Sequence, residues 1–288
     1  MNTSPITFCI STYNNLNYLK LAIHSVRTYS HFKDAPFIIY SENSTDGTDE
    51  WISGEGKEKY NIETYIEKNE IPKGIGGGMN FCAEKVKTEW IMFLHADFFV
   101  SKNWDINLLN IISNQNPIWV SSYRIEPNIF NGNSYPGVLC LPSETFGEYY
   151  TNFKEQEFID YAENFSLLNN IQIRKGAGVS GLIRKKDWDN IGGNDPLFAP
   201  ASYEDMDLFV RMQLAHYTFI TTTTSVVYHF GARGSHRLEE NNGKTSNRQK
   251  QSEMNNYVKW IKKWGQPPTF DENGFVCPIT GTNNLIKI

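Results

Sequence analysis

The sequence predicts an α/β fold, a mixed and mostly parallel central sheet with helices on its faces. Strand-like and helix-like segments alternate four times within the first hundred residues, the pattern of βαβ units. Trp90 to Leu94 is an unbroken apolar run, which suits a strand buried on both faces of a parallel sheet. The strand-like segments end in polar, charged or glycine-rich stretches, and in such sheets ligands bind at the carboxyl ends of strands.

Ile6 to Ser11 reads as the first strand and Tyr13-Asn14-Asn15 as its turn. Leu16, Leu19, Ile23 and Val26 recur at helical spacing and give one apolar face. Pro36 introduces a second strand, Phe37 to Tyr40, which runs into the polar loop Ser41 to Thr48 and a short helix around Asp49 to Ser53. Ile62 to Glu67 is a third strand. Pro72 to Gly78 reads as a glycine-rich loop, with a helix over Met79 to Lys87 and then the Trp90 strand. A helix near Trp104 to Ser113 leads to a strand over Ile118 to Tyr123. Residues 126–150, rich in Pro, Asn, Gly and Ser, read as a long loop. Gly176 to Arg184 reads as a strand, Lys185 to Ile191 and Tyr203 to Ala215 as helices, and Thr218 to His229 as β. Residues 231–250 are polar and predict a mobile stretch before an amphipathic helix carrying Tyr257, Trp260, Ile261 and Trp264.

The hydrophobic share of 40%, with 7 Trp and 18 Phe, can fill a large core in 288 residues. With 27 basic and 32 acidic residues the net charge is -5, which argues against a broad nucleic-acid face. Cys9, Cys82, Cys140 and Cys277 form no CxxC pair, so neither a zinc site nor a disulfide framework is indicated. No window reaches the roughly 18 apolar residues of a membrane span, and Met1 to Pro5 lacks a signal-peptide pattern. The expectation is a cytoplasmic protein, with peripheral membrane contact left open.

The candidate site follows from the strand ends. Thr12-Tyr13, Ser41-Glu42, Gly74 to Gly78 and His95-Ala96-Asp97 should open on one edge of the sheet. Residues two apart on an extended chain point the same way, so His95 and Asp97 could meet one bound ion. Tyr13 could stack on a base, Glu42 could accept from a base N–H or a ribose hydroxyl, and glycine lets backbone approach phosphate. A divalent ion on Asp97 would neutralise a diphosphate; oxygen ligands favour Mg²⁺ or Mn²⁺, and an imidazole tilts the choice toward Mn²⁺. Each residue also has a plainer use: Asp97 or Asp205 as a capping carboxylate, Glu42 and Asp46 as turn formers, His229 as a core histidine.

Ile10 to Asn14, Ser41 to Thr48, Gly74 to Asn80, Phe93 to Asp97 and Tyr203-Glu204-Asp205 stand in the order found in family 2 glycosyltransferases, which the chain resembles over roughly residues 5–235. The resemblance implies a GT-A, Rossmann-like fold. It also implies an inverting transfer of a sugar from a nucleotide-diphosphate donor to a hydroxyl of a glycan or other acceptor. It makes Asp97 and His229 the metal-holding residues, Asp205 the general base and Glu204 its neighbour for orienting acceptor hydroxyls. Donor nucleotide binding is expected at Thr12, Tyr13, Glu42, Gly74, Asn80, His95, Ala96 and Arg233, and Arg233 and His236, in the polar stretch after His229, could close over the phosphates and exclude water. Residues 1–235 would form the GT-A domain, and 236–288 a mobile segment and docking helix of the same domain.

Two departures mark this chain. His95 stands at the first acidic position of the family's Asp-x-Asp motif, and Met79 precedes Asn80 where the family often has Arg. Two other functions fit the same pattern. A nucleotidyltransferase would carry a basic glycine-rich signature after the first strand, which Thr12 to Asn15 lacks. A non-catalytic sugar-nucleotide or glycan-binding module would have no need to keep both Asp97 and Asp205.

Overall fold

A computed structural model describes residues 4–112, 117–129, 134–174, 178, 180–233, 237 and 244–278. Its N-terminal half is built from β1 (Ile6–Thr12), α1 (Leu16–Tyr29), β2 (Phe37–Glu42), α2 (Thr48–Ser53), α3 (Glu55–Tyr60), β3 (Glu63–Glu67), α4 (Gly74–Lys85) and β4 (Trp90–His95). There follow β5 (Phe98–Val100), α5 (Trp104–Leu109), β6 (Ile118–Pro127), β7 (Val138–Leu141), α6 (Glu155–Leu168), β8 (Gln172–Arg174) and β9 (Gly181–Arg184). The chain continues through α7 (Lys185–Ile191), α8 (Glu204–Leu214), β10 (Thr218–His229) and α9 (Asn247–Trp264).

All the described strands join one mixed sheet along the path β3-β2-β1-β4-β9-β6-β10-β5, with β7 beside β6 and β8 beside β10. The first four strands on that path are mutually parallel. Beyond β4 the directions mix: β9 is antiparallel to both β4 and β6, β10 is parallel to β6, and β5 runs antiparallel to β10. The α/β architecture expected from the alternation is therefore what forms.

Alternation along the strands fills two cores. Phe8 and Ile10 of β1, Phe37 and Ile39 of β2, and Met92 and Leu94 of β4 face one side, against Leu19, Ile23 and Val26 of α1 and Trp104 of α5. Cys9, Ile38, Tyr40, Ile91 and Phe93 face the other, where Cys82, Phe209, Trp260 and Trp264 cover them. Burial on both faces is why these strands read as continuous apolar runs. Among the described residues no helix is long and apolar enough to cross a membrane.

Several expectations are corrected. The glycine-rich segment is not a loop, because α4 begins at Gly74. Glycine disfavours helix, but a side chain at Gly78 would meet Ser11 Oγ at 2.0 Å and the Tyr40 ring at 2.7 Å. Close packing on the sheet outweighs propensity here. Glu42 supplies the missing cap from β2, accepting the backbone N–H groups of Lys73 and Gly74 at 2.8 Å each. The polar stretch to residue 250 is shorter than expected, since Ser246 accepts from Gln249 N and starts α9 at Asn247. The presumed loop over 126–150 contains the end of β6 and all of β7. The strand expected from Gly176 is described only over Gly181–Arg184. His236 lies outside the described residues.

Candidate functional site

Parallel pairing lines up the strand ends. Thr12 registers with Ser41, Ser11 with His95, and Glu42 with Glu67, so the loops that follow β1, β2 and β4 open together. They border a cavity of about 520 Å³. Thr12, Tyr13, Glu42, Gly74, His95, Ala96 and Asp97 line it from this side. Glu204, Asp205 and His229 line it from the C-terminal half, together with the start of α9 from Ser246 to Glu253.

The strand ends at His95, and Ala96-Asp97 form a turn. The alternation that would aim His95 and Asp97 alike is thus broken. Asp97 instead meets His229, because β5 pairs with the end of β10 and sets His229 opposite Phe98. His229 Nε2 lies 3.3 Å from Asp97 Oδ2, and its Nδ1 lies 2.8 Å from Glu126 Oε1. Burial works against charge on this ring, but Asp97 and Glu126 outweigh it and push His229 up to about 9. Burial alone would raise Glu126, yet His229 and Arg124 hold it near 2. His95 is driven down to about 4 by burial, against the pull of Asp97, and is neutral at ordinary pH.

Among the described residues, no group of three or more His, Cys, Asp or Glu side chains is arranged to hold a metal ion. The pair Asp97–His229 nevertheless fits one. Two donors 3.3 Å apart match adjacent ligands on a small dication with bonds of about 2.1 Å. A carboxylate on the far nitrogen of the imidazole, as Glu126 provides, is the usual support for a ligating histidine. The sequence reading missed Glu126 because it sits in a stretch taken for loop; only its pairing partner β10 reveals it.

The acidic pair at the start of α8 rests on an unusual turn. Ser202 and Tyr203 both adopt positive φ, 79° and 74°, which non-glycine residues avoid. Burial, then the adjacent Asp205 charge, pushes Glu204 up to about 8, and its Oε2 has no hydrogen-bond partner among the described residues. Burial also raises Asp205, but there the backbone N–H of Met206 donates to Oδ1 at 2.7 Å and favours the anion. The two acids are therefore held differently: Glu204 has no partner for Oε2 among the described residues and keeps a proton at neutral pH, while Asp205 accepts a backbone N–H that favours its anion against burial.

Other expected residues stand differently. Glu42 spends most of its capacity on Lys73 N, Gly74 N and Asn69 Nδ2. Asn80 is turned from the cavity: its amide exchanges two 2.8 Å hydrogen bonds with the backbone of Asn194. Arg233 does not line the cavity either. It is 2% exposed, 3.5 Å from Glu148 Oε1 and stacked 4.4 Å from the Tyr149 ring. Arg248, which the sequence reading passed over, lines the cavity and sits 5.9 Å from the Tyr13 ring.

The model of glycosyl transferase family 2 matches residues 7–176. The chain belongs to this family. The matched segment ends before Glu204, Asp205, His229 and α9. Among solved structures, the chain is similar to GalNAc-T7 with UDP, GalNAc and Mn²⁺ (TM-score 0.63, 17% identity, 94% of this chain and 49% of that one). It is also similar to the mannosyltransferase PcManGT from Pyrobaculum calidifontis in complex with GDP-Man and Mn²⁺ (0.57, 14%, 93% and 67%). A third likeness is to S. aureus TarS (0.52, 13%, 79% and 37%). At such identities these likenesses carry the GT-A fold alone, and the chain spans about half the length of GalNAc-T7. No curated protein sequence matches the chain.

Proposed function

We propose that this family 2 chain is an inverting glycosyltransferase that moves a sugar from a nucleotide-diphosphate donor to a hydroxyl of a glycan or similar acceptor. One observation carries the reading: the Asp97–His229 pair and the unequal Glu204–Asp205 pair open on the same cavity. Its volume, about 520 Å³, lies in the range of small-ligand sites. The likeness to two enzymes solved with Mn²⁺ and a nucleotide or sugar nucleotide adds support.

Asp97 and His229 would hold Mn²⁺ or Mg²⁺, with the imidazole tilting the choice toward Mn²⁺. When bound, the ion would offset the negative charge that builds on the departing diphosphate. Tyr13 offers a ring for the base, with the Arg248 guanidinium close to it. Thr12 Oγ1, which has no partner among the described residues, and the remaining acceptor capacity of Glu42 serve the nucleoside. Gly74 and Ala96 border the donor without bulky side chains, and neutral His95 presents a ring without charge. Asp205 takes the proton of the acceptor hydroxyl as its oxygen bonds to the anomeric carbon. The bond from that carbon to the diphosphate oxygen breaks on the opposite face, so the configuration inverts. Protonated Glu204 donates a hydrogen bond to the acceptor. Residues 1–235 and the closing helix serve as one GT-A unit.

Release of nucleoside diphosphate from a panel of sugar nucleotides, with and without Mn²⁺, tests this. Turnover of at least one donor, lost on chelation, is expected. Binding of donors without any turnover would leave a binding module. Pyrophosphate release from a nucleoside triphosphate would indicate a nucleotidyltransferase.

A further inference from the structure

Helix α9 reaches across to the turn that delivers Asp205, and it does so through polar side chains. Asn256, 1% exposed, points its amide into the turn: Nδ2 lies 2.6 Å from Phe198 O, 2.8 Å from Ala201 O and 3.0 Å from Ser202 O. Ser252 Oγ donates to Ala201 O at 2.8 Å, and Gln249 Nε2 donates to Ser202 Oγ at 3.0 Å. Lys259 Nζ donates to Asn256 Oδ1 at 2.9 Å, which fixes which end of the amide faces the turn. Lower on the helix, Lys263 and Trp264 anchor to Asp207, a fully buried residue two positions past Asp205.

Such a cluster needs a reason. Carbonyls of a turn holding two non-glycine residues at positive φ would otherwise relax toward ordinary backbone, and Glu204 and Asp205 would swing with them. The turn is also held by Ile75 N, which donates to Pro200 O at 3.1 Å, and by the Tyr203 ring against Tyr257 and Trp260 of α9.

We propose that α9 is a positioning clamp for the catalytic carboxylate, with Asn256 as the residue that holds the 198–203 turn and, through it, the direction of Asp205. The clamp rests on the reading of Asp205 as general base. Asn256 itself does not line the cavity and touches no substrate; it acts through the turn.

The test uses the full chain, the sugar nucleotide that it turns over, and the variants Asn256→Ala, Lys259→Met and Asp205→Asn. Misplacement of the base by Asn256→Ala should lower kcat roughly tenfold to a hundredfold. KM for the sugar nucleotide should stay within about twofold, since Asn256 does not line the cavity and Arg248, the α9 residue beside the Tyr13 ring, stands about two turns before it. Amide hydrogen exchange should speed up over residues 198–206 while β1, β2 and β4 keep their protection. Lys259→Met, remote from the cavity, should give a smaller loss of kcat with the same unchanged KM; it decides the matter if Asn256→Ala fails to fold. A lower melting temperature with kcat intact in the clamp variants, while Asp205→Asn is inactive, would overturn the clamp and leave the base reading standing. Full turnover in Asp205→Asn would sink both.

Discussion

The two halves of this molecule contribute to one cavity by opposite means. From β1 to β4 the site is made by strand ends, aligned automatically once parallel strands pair in register. From β6 to α9 it is made by crossings: β10 lies between β6 and β5, and α9 reaches back to the turn before α8. The first half supplies a ring, a hydroxyl and backbone. The second supplies His229, with Glu126 behind its ring, and the two acids. The residues proposed to bind the donor thus follow from paired strands, while His229 and the two acids sit where the chain is least regular, after positive-φ Tyr203 and at a strand terminus. The difference teaches that the second half depends on contacts distant in sequence for its local geometry, so on the proposed reading substitutions there should cost the most activity.

The largest effect should come from the second half. On the proposed reading Asp205→Asn keeps the shape and removes the base, and general-base catalysis is worth about 10²- to 10⁴-fold. The pH profile gives a finer check. Burial raises Asp205 above an ordinary carboxylate, so its ionised fraction falls early as pH is lowered. The acid limb of kcat/KM should therefore lie above the usual pKa of about 4 and the rate should climb with pH through it. Stability should move the other way. An acid whose pKa is raised on folding contributes stability below its unfolded pKa and loses it as pH rises through the folded one. At neutral pH, Asp205→Asn should thus raise the melting temperature while abolishing turnover, and a fall in both would contradict the assignment.

Next in size is the seam between the halves. Gly74 has φ +67°, and a β-carbon there would fall 1.6 Å from Pro200 O. Gly74→Ala cannot be absorbed by a side-chain shift, since the obstacle is backbone. A loss of about 3 kcal/mol or more in urea unfolding is expected. Unchanged stability would mean that the two halves are not locked at this point. Smaller again is Glu126→Gln, which leaves the imidazole in place but takes away the charge behind it. Mn²⁺ affinity measured by calorimetry should weaken about 10- to 100-fold, with the melting temperature of the metal-free protein as control. Equal affinity would reduce Glu126 to a structural partner.

How much of this was legible in the sequence follows the same division. The strands of the first half announce themselves because both faces are buried, and the ligand edge follows from parallel topology. The order of motifs points to Asp97 and Asp205 and the family resemblance adds His229; folding brings the three to one cavity. Glu126 and Asn256 carry no local signal: each matters only through a partner 103 or 58 positions away. Helix α6 is different, since Phe158, Ile159, Ala162 and Phe165 do carry helical spacing in the sequence. The glycine run misled for a third reason. Propensity says loop, and only the shallow packing of Gly78 on Ser11 and Tyr40 explains the helix.

The smallest effect concerns Asn80, expected among the donor contacts and found bridging the halves instead. Its Oδ1 accepts from Asn194 N and its Nδ2 donates to Asn194 O, so α4 is tied to the segment that follows α7. The neighbouring backbone is crowded, since a β-carbon on Gly193 would lie 2.4 Å from Asn80 Oδ1. Removing the amide leaves the backbone N–H and C=O of buried Asn194 without these partners. With a net worth of about 1 kcal/mol per hydrogen bond, Asn80→Ala should cost roughly 2 kcal/mol. Donor KM should not move, because the side chain does not face the cavity. A raised donor KM with stability intact would return Asn80 to the donor site and shift the boundary between the two halves. A loss of stability alone would make it a strut between them.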